Sequence, residues 1–410
     1  MKLECHLNKI YFLQIIKKWL DFRIIFVYNK IVIGFIDLDS FYVSAEIAKD
    51  PSLLGKPLIV SGGEGNKGVV LSVSYDLKKS GIRAGMPTFK AKEIFPSAII
   101  LRPDFNFYEE VSRKIKDLIF SYTPVLEQGS IDEFYLSFEG CERLYKNDFF
   151  NVVYEIRKNI KEKFKIPSSA GLSSTKCTSK ILSKIAKPEG QIFVPKGKEK
   201  EFLSSFPVNL IPGIGKKLGE KLKILGIERI GDLQNCKTSL LLSVFGKEGE
   251  EIQKKALGIY EEPFKSGSIP KSIGKERTFF EEKIDLEEIL KEIFWLTEEV
   301  VFRMRAFSLS ARKIEVRIKY GDFEVVSSSF TFKYPQNFYG IFQKKAKEIF
   351  LSLYKRRVRV RMIGISLSNF EIYSGQRNLE IFGKDGEQIQ KTIDLLKKKY
   401  GVKLISFGKI

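Results

Sequence analysis

Apolar positions fall into two periodic regimes along the chain. Residues 31–37 (IVIGFID) are continuously apolar up to an acid, the pattern of a strand covered on both faces. An amphipathic stretch at 40–48 follows, then a short strand at 57–60, a glycine-rich turn at 62–65 and a β-like run at 68–73. Helical periodicity at 88–94 and 106–120 leads to strands at 125–128 and 131–138, with a turn expected at Gly129-Ser130. A helix at 152–164, a strand at 169–172 and a helix at 176–186 complete a region of mixed strands and helices, an α/β or α+β arrangement. Residues 207–257 are short helical segments punctuated by glycine, and 261–271 (EEPFKSGSIPK) reads as a linker. The pattern then restarts as strand 272–280, helix 286–307, strands 313–320 and 323–333, helix 338–354 and strand 358–370. That order is β-α-β-β-α-β, the split βαβ plan, and a turn-and-helix segment at 376–400 closes the chain. The expected class is multidomain α+β.

A chain of 410 residues exceeds one ordinary core. With 70 Lys and Arg against 50 Asp and Glu the net charge is +20, which favours a polyanionic partner, nucleic acid first. Cys5, Cys141, Cys177 and Cys236 are far apart and form no CxxC pair, which argues against zinc and disulfides and suits a reducing cytoplasm. His6 is the only histidine, which argues against Ser–His and Cys–His nucleophilic schemes. Residues 10–28 are apolar, but Lys17, Lys18, Asp21 and Arg23 interrupt them, so neither a spanning helix of about 20 apolar residues nor a signal peptide is expected. A peripheral helix or an upstream start codon accounts for this extension, and no membrane partner is expected.

Two acidic clusters border apolar strands: Asp37-Leu38-Asp39-Ser40-Phe41-Tyr42 and Ser130-Ile131-Asp132-Glu133. Singly, each acid reads as a cap or turn residue, and Asp39 and Ser40 look like caps of the following helix. If the two strands are neighbours, however, Asp37, Asp132 and Glu133 converge and repel one another unless cations intervene. Oxygen ligands without His or Cys suit Mg²⁺, with Mn²⁺ as a substitute. Two such ions about 4 Å apart can activate a hydroxyl and stabilise a departing pyrophosphate.

GFIDLDSFYVSAE (Gly34 to Glu46) and SIDEFYL (Ser130 to Leu136) together resemble the Y-family of translesion DNA polymerases, nearest to its DNA polymerase IV branch, and the likeness runs from about Ile31 to the C-terminus. The resemblance implies Asp37, Asp132 and Glu133 as catalytic metal ligands, joined by the Leu38 carbonyl. It implies Tyr42 as a steric gate against ribonucleotides, with Phe41 beside it in the pocket floor. Tyr75 and Lys78 match a Tyr-x-x-Arg element that grips the triphosphate; lysine here gives a point charge instead of a bidentate fork. Lys187, in Lys187-Pro188-Glu189-Gly190, would reach the β- or γ-phosphate, and 81–87 (GIRAGMP) would border the templating base. The implied domains are a palm and fingers over 31–205, a helical thumb over 206–260, a linker at 261–271 and a little finger over 272–410, after an extension at 1–30 of unknown role.

Ile211-Pro212-Gly213-Ile214-Gly215-Lys216 has the form of a helix-hairpin-helix, in which amides near Gly213, Gly215 and Lys216 can hold a DNA phosphate. Arg357, Arg359 and Arg361 alternate along a predicted strand, as do Lys313, Arg317 and Lys319 along another, giving basic faces suited to DNA. Gln376, Leu379, Ile381 and Phe382 resemble a bacterial sliding-clamp-binding peptide. A monomeric polymerase acting on primer-template DNA and dNTPs, without a proofreading exonuclease, accounts for all of these. A nucleotidyl cyclase would need no DNA-binding elements, a three-carboxylate nuclease no sugar gate, and a decayed DNA-binding protein no intact acids.

Overall fold

The computed structural model describes residues 32–63, 68–265, 269–373 and 392–399. The N-terminal extension, part of the 62–65 turn and the clamp-like residues Gln376, Leu379, Ile381 and Phe382 lie outside them. The chain divides into two compact units, Met1–Ser266 and Gly267–Ile410.

The first unit contains strands β1 (Ile33–Leu38), β2 (Leu58–Gly62), β3 (Val69–Val73), β4 (Ile99–Leu101), β5 (Val125–Ser130), β6 (Glu133–Ser137), β7 (Ser168–Ser173) and β8 (Gln191–Phe193). Five form one sheet in the order β5-β6-β1-β7-β8, and a smaller sheet runs β3-β2-β4. The continuous apolar run of β1 follows from its place in the middle of the large sheet, where both faces are covered. Gly34, Ile36 and Leu38 share one face; an added Cβ on Gly34 would touch Phe138 and Val153, and Ile36 joins the core built with helices Phe105–Phe120 and Phe149–Phe164. Ile33, Phe35 and Asp37 point to the other face, which helix Lys176–Ala186 covers. That helix also joins the core of Phe202, Leu222, Ile230 and Ile252, which holds together helices Lys216–Ile224, Ile230–Asn235, Thr238–Phe245 and Lys247–Ala256.

The turn expected at Gly129-Ser130 lies two residues later. β5 runs through both residues to pair Ser130 with Glu133, and Ile131-Asp132 forms the turn. Gly129 is small for another reason: a Cβ there would come 3.1 Å from the Tyr135 ring.

The second unit has strands β9 (Ser272–Lys283), β10 (Leu309–Tyr320), β11 (Val325–Gln336) and β12 (Val360–Ile372), in the all-antiparallel order β11-β10-β12-β9. Helices Leu286–Ala306 and Tyr339–Leu353 cover one face around Leu296, Phe342 and Phe350, so the β-α-β-β-α-β order stands. Along β10, Ile314, Val316, Ile318 and Tyr320 are buried, leaving Lys313, Arg317 and Lys319 on the open face as expected. The arginine alternation does not stand: Arg357 and Arg359 precede β12 in an irregular segment, and only Arg361 lies in the strand. Residues 392–399 are helical and dock on helix Leu286–Ala306 through Arg305–Asp394 (2.7 Å) and Lys397–Glu298.

Gly171 sets how closely helix Lys176–Ala186 approaches the sheet, since an added Cβ would lie 2.1 Å from the Ser179 carbonyl oxygen and 2.6 Å from Leu182. Gly171→Ala is expected to destabilise the protein by about 3 kcal/mol, the upper range of overpacking, read as a lower urea midpoint. Gly55→Ala has open space around it and a positive φ, so it should cost only local backbone strain.

Candidate active site

The antiparallel register sets Asp37 directly opposite Glu133. Both side chains leave the sheet on the face covered by helix Lys176–Ala186. The Leu38 amide donates to the Asp132 carbonyl at 2.9 Å, tying the Ile131-Asp132 turn to the end of β1. The three acids are therefore neighbours, as the sequence predicts. Burial raises the Asp37 carboxyl to about 6, against the lowering effect of Lys187, and Asp132 and Glu133 push it the same way as burial.

Two lysines occupy the opposed acids. Lys187 Nζ lies 2.5 Å from Asp37 Oδ1, and Lys180 Nζ donates to Glu133 Oε2 at 2.7 Å. Asp132 accepts from the Ser130 hydroxyl at 2.6 Å. Among the described residues no three acidic, cysteine or histidine side chains form a ready-made metal cage. The donor set is nevertheless all oxygen, and crowding of like charge around Asp37 is what a hard divalent cation relieves.

Beside the acids is a cavity of about 220 Å³ lined by Phe41, Tyr42, Lys78, Arg83, Asp132 and Lys187 among others. Tyr42 is stacked on Tyr108 with ring centroids 4.6 Å apart, and Phe105 meets it edge-on at 6.0 Å. Tyr108 is itself fixed by its hydroxyl, which donates to Glu46 at 2.6 Å. The ring of Tyr42 is thus held at the cavity wall, while Phe41 is almost wholly buried.

The capping roles expected of Asp39 and Ser40 are not what these residues do. Ser40 is left-handed at φ 47° and makes no capping bond; its hydroxyl oxygen accepts from Lys78 Nζ at 2.7 Å. Asp39 is fully buried and accepts from the Ser169 hydroxyl (2.8 Å), the Tyr75 hydroxyl (3.0 Å) and the Glu189 amide (2.9 Å). Burial raises the Tyr75 phenol, and so does the Asp39 carboxylate to which it donates here. Lys78 is lowered by burial and by Lys187. Arg83 donates to the Ile82 carbonyl at 2.9 Å and to that of Lys78, so it shares the cavity wall with the lysine that stands at the arginine position of the Tyr-x-x-Arg element. Asp39 and Lys180 are the residues sequence reasoning missed. The Asp-x-Asp spacing offered a signal for the first, and the four-residue step from Lys176 to Lys180 for the second.

At the helix-hairpin-helix, Gly213 has φ +100° and Gly215 precedes helix Lys216–Ile224, but the segment before the turn is a single 3₁₀ turn, Val208–Leu210. The Ile214 and Gly215 amides are engaged within the turn, with the Ile211 and Gly213 carbonyls. A phosphate would thus meet the amides that open the helix at Lys216. In the second unit Arg317 pairs with Glu276 (2.9 Å) and Arg361 lies over the Phe323 ring at 4.8 Å, while Arg357 and Arg359 are exposed.

Three segments match known families: 36–184 the impB/mucB/samB family, 196–227 the IMS family HHH motif, and 270–381 the impB/mucB/samB family C-terminal domain. DNA polymerase IV of Desulfatibacillum aliphaticivorans is 34% identical over 333 residues, 81% of this chain and 84% of the relative. DNA polymerase IV 1 of Bacillus subtilis is 33% identical over 386 residues, 92% of each. Among solved structures, the Y-family DNA polymerase chimera Dbh-Dpo4-Dbh has a TM-score of 0.75 at 29% identity, covering 83% of this chain and 99% of that one. An insertion ternary complex of Dbh DNA polymerase gives 0.61 at 28%, with 83% and 99% covered. The chain belongs to the impB/mucB/samB family of Y-family translesion DNA polymerases and is a DNA-directed DNA polymerase.

Asp39→Ala would leave two hydroxyls and an amide without their acceptor in a buried place. A stability loss of about 3 kcal/mol is expected, with a raised KM for dNTPs because the loop after Lys187 loses its anchor. Urea denaturation and steady-state kinetics check both; unchanged values in a fully folded variant would contradict the role given to Asp39.

Proposed function

We propose that the chain extends a primer 3′-end on a DNA template with two divalent ions held by Asp37, Asp132, Glu133 and the Leu38 carbonyl, and without proofreading. The single observation that carries this is the opposition of Asp37 and Glu133 across adjacent strands, beside Asp132, which lines a cavity with Tyr42, Lys78 and Lys187. When bound, Mg²⁺ or Mn²⁺ supplies Lewis-acid activation of the primer 3′-oxygen and charge stabilisation of the departing pyrophosphate.

The chain's own groups do the rest by positioning and electrostatics. Tyr42, braced by Tyr108, presents its ring to the sugar and excludes a 2′-hydroxyl, with Phe41 fixing the helix from below. Lys78 and Lys187 attract the triphosphate, and Tyr75 contributes a hydroxyl once it turns from Asp39. We assign palm and fingers to 31–205, thumb to 206–260, linker to 261–271 and little finger to 272–410. The Gly213-Ile214-Gly215 turn lets the backbone approach closely, and the amides that open the helix at Lys216, with the side chains of Arg357, Arg359 and Arg361, hold template-primer by its phosphates. The ternary complex of Dbh DNA polymerase supports DNA as the partner. Binding of a sliding clamp through Gln376, Leu379, Ile381 and Phe382, a monomeric state and a cytoplasmic site of action complete the proposal. Among the described residues no helix is long and apolar enough to cross a membrane.

Primer extension with Mg²⁺ and single nucleotides tests the reading. Asp132→Ala should lose about a thousandfold or more in rate, and Tyr42→Ala should gain ribonucleotide incorporation while still extending with dNTPs. A folded, DNA-binding wild type that does not extend would overturn it.

Replacing Arg357, Arg359 and Arg361 together by alanine should weaken DNA binding for all sequences alike and reduce the salt slope by roughly 2 to 3, measured by fluorescence anisotropy. An unchanged slope would remove these arginines from the interface.

A further inference from the structure

Lysines at 176, 180 and 187 lie along one side of helix Lys176–Ala186 and its exit, four and seven residues apart. Each meets a carboxylate of the sheet: Lys176 with Glu127 at 2.5 Å, Lys180 with Glu133 at 2.7 Å and Lys187 with Asp37 at 2.5 Å. The first pair is structural. Lys176 is almost wholly buried and also donates to the Pro263 carbonyl at 2.8 Å, and Glu127 accepts the Lys265 amide at 2.6 Å, so this pair pins the chain that leaves the helical segment. The other two sit on the acids assigned to metal, and their ammonium groups keep partial contact with solvent. Lys187 also lies 3.9 Å from buried Asp39.

We infer that Lys180 and Lys187 are positioning residues, internal cations that hold Glu133 and Asp37 in the free enzyme and that a divalent cation must displace. An ammonium within about 3 Å of a carboxylate occupies the lone pairs a metal would use, and the local attraction is strengthened by partial burial. Two opposed carboxylates with no cation would repel each other across the sheet. The lysines therefore let the site fold without metal, at the expense of metal affinity in the absence of substrates. This inference rests on the metal-site reading above.

The test is Mn²⁺ binding to the full chain, without DNA or nucleotide, followed by electron paramagnetic resonance of free Mn²⁺. Lys180→Met and Lys187→Met should each bind Mn²⁺ about tenfold more tightly than wild type, within the usual range of coupled sites. Lys187→Arg, which keeps the charge, should bind as wild type does. Both methionine variants should melt lower than wild type in chelator and recover more on adding Mn²⁺, because the ion then stabilises only the folded state. Equal or weaker binding by folded methionine variants overturns the inference. If Lys187→Met does not fold, Lys180→Gln carries the same comparison at Glu133. Asp132→Asn separates the two readings: Mn²⁺ binding that this change leaves intact in every background means the three acids are not the metal site, whereas binding lost with Asp132→Asn and unchanged by the lysine variants rejects only the placeholder role.

Discussion

Two carboxylates facing each other across adjacent strands are the constraint around which the first unit is organised. The register that pairs Asp37 with Glu133 cannot slip by one residue without turning Phe35 and Ile36 to the wrong faces, so the acids are held together by the burial of their apolar neighbours. Like charges directly opposite are unfavourable, and a half-buried face makes them more so. The sheet answers with cations from the helix that covers this face. The helix approaches closely because Gly171 has no side chain to keep it away, and this closeness brings Lys180 within reach of Glu133.

Around the acids, rigidity is supplied by groups that do no chemistry themselves. Tyr42 is held by a ring stack on Tyr108, whose own hydroxyl is tied to Glu46. Asp39 collects donors from β7, from helix Tyr75–Lys79 and from the loop after Lys187. A buried carboxylate is stable here because both oxygens accept, Oδ1 from Tyr75 and Oδ2 from Ser169 and the Glu189 amide, and it couples three chain segments that are far apart in sequence. The loops beside the cavity are thereby tied together by one fully buried acid outside the proposed metal set.

The longer elements and their order were legible in the sequence, since apolar periodicity marks strands and helices whatever their partners, whereas strands β4 and β8 and helices Tyr75–Lys79 and Glu199–Leu203 are three to five residues long, too short to show a period. Helices Thr88–Ile94 and Lys176–Ala186 have the limits that periodicity predicts. The two misplacements share one cause. Gly129-Ser130 reads as a turn because glycine usually signals backbone freedom, yet here it makes room for the Tyr135 ring, a non-local demand. Arg357 and Arg359 alternate like strand residues although the first ladder contact of β12 is at Val360, because a period of two in charged residues has no burial to enforce it. In the site, the three acids were legible from their spacing and family likeness. Asp39 read as a cap because helix N-terminal acids often are, and nothing in the helical pattern at 176–186 marks Lys180; only the fold reveals that one is enclosed and the other faces Glu133.

Lys187 links these two levels. The same ammonium group is adjacent to Asp37, lines the cavity and lies near Asp39, so any anion that enters the cavity competes with Asp37 for it. Linkage then works in both directions: whatever draws the lysine from the carboxylate raises the affinity of that carboxylate for another cation, and a cation on Asp37 releases the lysine for the anion by the same factor. On the proposed reading, one lysine would by itself couple cation binding at Asp37 to anion binding in the cavity. Lysine suits position 187 better than arginine would, because a single flexible point charge can move between two acceptors, whereas a planar fork favours one bidentate partner.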